Sequence, residues 1–340
     1  MAVIASLGWR LLVAVPVLLL ATLVLFAVLR VLPADVAAMA VAPGVPEAER
    51  AATRALFGLD HFLPVQYVLW LGQMLSGAWG LSAQLGVPVA RLVGEALAAT
   101  LELVALAMAV CAALGLAGGL ALFALRREAG QREGRAALAE SGTALLMAVP
   151  LLLWALVLLL VFALAWPVAP VAGRMAPGVD WPQGTGLVLL DALRAGDLAA
   201  FGSALGHLVL PAVALGLGFA APVMRVLGAA LAEAYRAPFV AQARLRGASG
   251  ARLLFGEALP VAALPALAVL GRQFGLMLGG AAVVEAVCVY PGLGRLLVEA
   301  VRAADLPVLQ AAGLVFAALA VLANAVAEGV CRGLNPGLRA

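Results

Sequence analysis

Six apolar runs, parted by polar segments of very unequal length, set the pattern of this chain. Leu11–Leu29, Leu103–Leu125, Ala144–Trp166, Leu208–Leu231, Leu259–Ala286 and Leu306–Ala327 are each long enough, at about 1.5 Å per helical residue, to cross a hydrocarbon core of about 30 Å. Arg30-Val-Leu-Pro33 after the first run offers no small-residue cleavage site, so residues 1–32 are expected to be a retained helix rather than a signal peptide. From Pro33 to Gly94 the pattern is mixed: too polar to span and too long for a tight turn, it predicts a folded loop domain outside the membrane. A second such region runs from Pro167 to Gly206. The fold class expected is all-α integral membrane, with six transmembrane helices.

The segment Glu233–Gly256, between the fourth and fifth runs, is of a different kind. It carries Arg236, Arg244, Arg246 and Arg252, and each would cost roughly 2.5–3.5 kcal/mol at the bilayer centre, so the segment must lie in water. Gly247 and Gly250 divide it into two short helical halves, a helix–turn–helix. Arg126, Arg127, Arg132 and Arg135 follow the second run at once and mark that connection as cytoplasmic. Counting helices from there places 33–94 and 167–206 in the periplasm, and 233–256 and both termini in the cytoplasm. The arginines of 233–256 agree with that side independently.

Composition narrows the classes. With 340 residues, 65% of them hydrophobic and 11% charged, and a mean hydropathy of +1.11, the chain lies far from soluble domains. Its formal net charge of +3 is concentrated in no patch away from membrane-flanking loops, so nucleic acid is not an expected partner. Cys111, Cys288 and Cys331 are far apart, and His61 and His207 are the only histidines, which suggests neither a metal site nor a His-based catalyst. No G-x-x-x-x-G-K-[ST] loop is present to cradle a nucleotide; neither cofactor nor catalysis is expected.

Ala241-Gln242-Ala243, then Gly247, then Glu257-Ala258-Leu259-Pro260 resembles the signature loop E-A-A, three residues, Gly, nine residues, I-x-L-P of membrane subunits of binding-protein-dependent ABC importers. Ala241, Gln242 and Glu257 depart from it in ways shared by the branch that carries dipeptides, oligopeptides and nickel, whose V-x-T-A-R-A-K-G-L-S is similar to Val240–Ser249. Further matches to that branch are Leu29-Arg30-Val-Leu-Pro33-Ala-Asp35, Phe57–Trp70, Gly77–Ser82, Val171–Arg174, His207–Pro211, Tyr290–Leu297 and Asp305–Gln310. Trp70 and Trp79 are equally readable as interface-belt aromatics.

The resemblance implies a permease for peptides, or alternatively for nickel or another small solute, in a bacterial inner membrane. Its partners would be a second homologous permease subunit, two ATPase subunits, a periplasmic substrate-binding protein and the lipid bilayer. Residues 95–340 would form the transmembrane domain proper. ATPase coupling falls on Ala241, Ala243, Arg244, Arg246, Gly247, Ala248, Leu259 and Pro260.

Intramembrane ionisable groups are the remaining candidates: Glu102, Arg225, Arg272, Glu285 and Glu328. Most stand near run ends, where snorkelling or helix-end anchoring explains them. Arg272 lies about 20 Å into the fifth run, counted at the helical rise, so it is expected to face a cavity or partner; with Glu285 it is the candidate for the translocation path. A secondary transporter should show inverted repeats or broken helices with midplane charges, and an intramembrane serine protease a Ser with an intramembrane His; neither pattern is evident.

Overall fold

Glycine placement decides which helices meet. The computed structural model describes residues 15–27, 46, 61–128, 133–170, 172–181 and 184–334, so the first apolar run beyond 15–27, the Leu29–Asp35 and Phe57–Asp60 motifs and residues 335–340 lie outside the described residues. Within them α3 (Val89–Glu128) and α7 (Leu198–Ala234) make the most extensive contact. A Cβ at Gly115, Gly118 or Gly119 of α3 would come within 2.6–2.7 Å of Val223, Met224 or Leu227 of α7. Reciprocally, one at Gly216 would lie 2.8 Å from the Ala107 carbonyl oxygen, and one at Gly228 3.0 Å from Leu122. Lipid gives two helices little hydrophobic reason to associate, so dispersion contact across small residues holds them. The main core grows from this seam, through Ala107, Cys111, Ala212, Leu215 and Ala220.

Helix α9 (Leu259–Val287) lies along α7, and α11 (Leu306–Leu334) along α9. Here too glycines set the approach: Gly275 faces the Asn324 side chain, and Gly280 faces Leu151, Phe219 and Leu215. Asp197 starts α7 ten residues before Leu208 by accepting the Ala200 amide at 2.9 Å. The fourth run therefore continues as helix well beyond its apolar part.

The third run departs from expectation. Instead of one crossing through Pro150, the chain forms α4 (Glu133–Ala148), then α5 (Leu151–Leu159) with a wide π-helical turn over Leu160–Ala165, and the two pieces meet at 93°. Pro150 sits at φ −57°, ψ 144°, an extended conformation; it has no amide to donate and it disfavours helix at Val149. Among the described residues four helices are long and apolar enough to cross a membrane, Val89–Arg127, Leu198–Ala234, Arg252–Val287 and Leu306–Ala327, or five if the bent pair is one span. Val15–Ala27, here α1, is a shorter apolar helix.

Helix α2 (Leu63–Ser76) packs on α1 through an aromatic cluster: the Phe26 ring centroid lies 5.5 Å from Tyr67 and 5.7 Å from Trp70. The Tyr67 and Thr22 hydroxyls are 2.8 Å apart. Trp70, only 2% exposed, is thus a packing residue, which removes the interface-belt reading for it. Three short helices complete the described chain: α6 (Val188–Ala195), α8 (Pro238–Leu245) and α10 (Leu293–Arg302).

Gly216 offers a direct test of the seam. Gly216→Val should destabilise the protein by about 1–3 kcal/mol, because the backbone carbonyl of Ala107 cannot yield as a side chain can. Gly202→Ala, in the same helix with open space around it, should be neutral or stabilising. Thermal unfolding of both variants in detergent checks the difference; equal effects would place the constraint elsewhere.

Candidate functional site

At one end of the bundle, α8 lies where α7 gives out. Pro238 opens it at the first helical position, where its missing amide costs nothing. Val240 and Ala243, three residues apart, are buried in the main core, while Phe239, Ala241, Gln242, Arg244, Leu245 and Arg246 are exposed. The helix stops in a Schellman turn: Ala248 N donates to the Ala243 carbonyl (3.1 Å) and Gly247 N to that of Arg244 (3.0 Å), with Gly247 at φ +82°. Ser249 then caps the next turn through the Arg252 amide (3.4 Å), and a π-helical stretch, Arg252–Ala258, leads into α9. Ala248 and Leu259 are half-buried and Pro260 exposed, so the coupling candidates are split between core contacts and a solvent face. The face itself is apolar at its tip, where Leu245 is 89% exposed.

The opposite end, about 43 Å away along the 29 residues of α9, is tied by buried carboxylates. Glu285, 0% exposed, accepts from the Thr100 hydroxyl (2.6 Å) and from the Gly294 (2.7 Å) and Arg295 (3.3 Å) amides, while Thr100 accepts the Leu293 amide (2.8 Å). One carboxylate and one hydroxyl thus hold the start of α10 against α3. Asp305 does the same beyond α10: it accepts from the Ser82 hydroxyl and the Ala83 (3.3 Å), Gln84 (3.4 Å) and Val308 (3.4 Å) amides, joining the Gly77–Ser82 and Asp305–Gln310 motifs. Glu102 pairs with Arg174 and accepts the Leu189 amide (2.8 Å), and Arg174 also donates to the Gly186 carbonyl (3.0 Å). Asp191 accepts from the Thr185 hydroxyl (3.0 Å) and Gly186 amide (2.9 Å); hydrogen bonding to Thr185, its backbone foremost, holds this carboxyl below the usual range. A cleft of about 710 Å³ opens beside them, lined by Arg91, Arg174, Trp181, Arg295, Leu296 and Glu299 among others.

The intramembrane candidates are therefore not alike. Glu102 and Glu285 are buried in hydrogen-bonded clusters and do not snorkel. Arg225 donates to the Thr143 hydroxyl (2.9 Å), tying α7 to α4. Arg272 is exposed on α9, and the structure does not bring it beside Glu285. Sequence reasoning missed Thr100 and Tyr235 altogether and named Arg174 only as part of a motif. Glu285, Glu102 and Arg127, with which they meet, stand far away in the chain, and no spacing rule connects them.

A bundle of long apolar helices with its hydrogen-bonded carboxylate clusters gathered at one end has the build of an integral membrane protein. The chain belongs to the family described as the inner membrane component of binding-protein-dependent transport systems, which matches residues 136–340, and residues 4–101 match that component's N-terminal family. It is 33% identical over 319 residues to the di/tripeptide transport system permease protein DppB of Pseudomonas aeruginosa, covering 94% of each chain. It is also 30% identical over 334 residues to the dipeptide transport system permease protein DppB of Escherichia coli K12, covering 97% of each.

The Glu102–Arg174 pair is 5–8% exposed and makes a second prediction. Removing either partner alone, Glu102→Leu or Arg174→Met, should cost about 3–5 kcal/mol by leaving a buried charge unmatched, and the double replacement should cost clearly less than the sum. A double-mutant cycle of thermal unfolding measures it; additive losses would mean that the two charges do not interact.

Proposed function

We propose that this chain is a permease subunit of an ATP-driven importer that carries peptides across the bacterial inner membrane. Six helices cross: the first apolar run containing α1, then α3, the α4–α5 pair, α7, α9 and α11, with both termini in the cytoplasm. Residues 1–32 form the first span, 33–94 a periplasmic loop domain and 95–340 the transmembrane domain. The unit is completed by a second homologous permease, two ATPase subunits that alone hydrolyse ATP, and a periplasmic binding protein that meets the loops 33–94 and 167–206. Family membership and the names of the relatives support the class and the substrate; the α8 end supports the coupling.

Glu233–Gly256 is the coupling segment. The observation that carries this is the exposed face of α8: Leu245, 89% exposed, and Phe239 stand beside Arg244 and Arg246 on a helix whose other face is core, an apolar surface with a charged rim that suits a protein partner. A soluble ATPase cleft gripping α8 would bury Leu245 with Phe239, while Arg244 and Arg246 supply the charged rim. Leu245→Asp should reduce co-purification of the ATPase by about tenfold, the equivalent of 1.4 kcal/mol, without reducing membrane insertion. Gly247→Val, which cannot hold φ +82° without strain, should insert normally and lose uptake. Normal ATPase association and uptake in both variants would refute the assignment.

Arg272 lines the translocation path at the contact with the second permease. Leu264–Leu270 and Phe274–Leu278 flank it with apolar residues, and an unpaired guanidinium facing lipid would cost several kcal/mol. There it would favour substrates bearing a carboxylate, with Glu285 holding α10 in place at the mouth of the same path. Arg272→Gln should lower uptake of a free-carboxylate peptide about fivefold or more relative to its C-terminal amide. An equal change for both peptides would remove the selectivity role.

A further inference from the structure

Tyr235 ends α7, and only Arg236 and Ala237 separate it from α8. Its half-buried ring is approached by two cations from different helices. The Arg127 guanidinium, in the last turn of α3, lies 4.9 Å from the ring centroid, and that of Arg244, in the last turn of α8, lies 5.3 Å from it. Phe123 of α3 packs on the same ring, centroids 5.3 Å apart and planes tilted by 58°. The distant α3 and the consecutive helices α7 and α8 therefore converge on one side chain.

The chemistry of the contact is selective. Two like charges beside one another repel, whereas the electron-rich face of an aromatic ring attracts each of them; an aliphatic side chain of similar volume would preserve the packing and lose the attraction. Val240 and Ala243, which also hold α8 to the bundle, make small apolar contacts. α3 and α7 are locked together by the glycine seam, so a displacement delivered to the Tyr235 ring is shared by both.

We propose that Tyr235 is the positioning residue through which movement of α8 reaches α3 and α7, with Arg127 and Arg244 as its two grips. This rests on the reading that α8 docks an ATPase. A tie there means that α8 cannot move away while the two central helices stay behind, which is the requirement for turning ATP hydrolysis into a change of path.

The test uses the complete transporter, this chain with its partner permease, ATPases and binding protein, reconstituted in liposomes. Uptake of a labelled dipeptide that the wild-type complex accumulates, and ATP hydrolysis with and without binding protein, are measured together. Tyr235→Leu should retain the ATPases in wild-type amount yet transport about tenfold less peptide per ATP, while Tyr235→Phe, which keeps the ring, should stay within about twofold of wild type. Wild-type coupling in Tyr235→Leu, or a Tyr235→Phe variant as defective as Tyr235→Leu, overturns the proposal. Should Tyr235→Leu fail to assemble, Arg127→Gln, which leaves both the ring and the docking segment intact, decides: a fall in peptide moved per ATP supports the proposal, and a wild-type ratio overturns it. The two readings fail separately. ATPases retained by Leu245→Asp refute docking at α8, whereas a coupled Tyr235→Leu together with ATPases lost from Leu245→Asp refutes only the role of Tyr235.

Discussion

Backbone-close contact between α3 and α7 is what the remaining helices are arranged around. Hydrocarbon surroundings remove most of the advantage of burying apolar side chains, so two helices stay together only if many atoms touch. Gly115, Gly118 and Gly119 on one side, with Gly216 and Gly228 on the other, allow that contact to occur over several turns. α9 then finds a ready surface on α7, with Gly280 admitting Leu215 and Phe219, and α11 finds one on α9. Each later helix repeats the same solution on a smaller scale.

The two ends of the bundle are secured by different chemistry. Around α10, carboxylates of Glu285 and Asp305 accept backbone amides, Glu102 fastens Arg174 and the start of α6 to α3, and Asp191 holds Thr185 and Gly186 against α6. Hydrogen bonds to an ionised acceptor are directional and strong, so the connections there have few alternative arrangements. Around α8, a ring, two guanidiniums and a few small apolar side chains do the holding. Such contacts keep the helices together while letting α8 change its angle to them. An element that must transmit motion fits the second kind of attachment better than the first.

Much of this was legible in the amino-acid order. The second, fourth, fifth and sixth apolar runs lie within helices, α9 ending within a residue of its anticipated end, and the Gly247 turn stands where the Gly spacing put it. Helix lengths were underestimated because α3 and α7 continue past their apolar parts into polar ends; Asp197 and the buried Thr100 are satisfied by tertiary partners or caps that hydropathy does not register. The break at Pro150 was visible as a proline, yet whether a proline bends or ends a helix depends on what the neighbours supply, and here Val149 and Pro150 leave the helix altogether. The clusters at the two ends were the least legible. Thr100 with Glu285, Arg174 with Glu102 and Tyr235 with Arg127 are pairings of distant residues, and only the glycine-set packing of the long helices determines which of them meet.

The turn after α8 is sterically empty: no atom outside the immediate chain lies within 4 Å of where a Gly247 side chain would begin. Its demand is therefore one of chirality rather than size. The corresponding turn after α10 shows how far an L-residue can meet that demand, since Ala304 occupies the same reversed conformation at φ +53°, at a cost of about 1–2 kcal/mol. A mirror-image alanine introduced chemically at position 247 would fill the space freely and stiffen the turn, because the conformation that L-residues avoid is the one that D-residues prefer. Handedness of a single α-carbon, separated in this way from bulk, is the property by which that corner of the chain holds its direction.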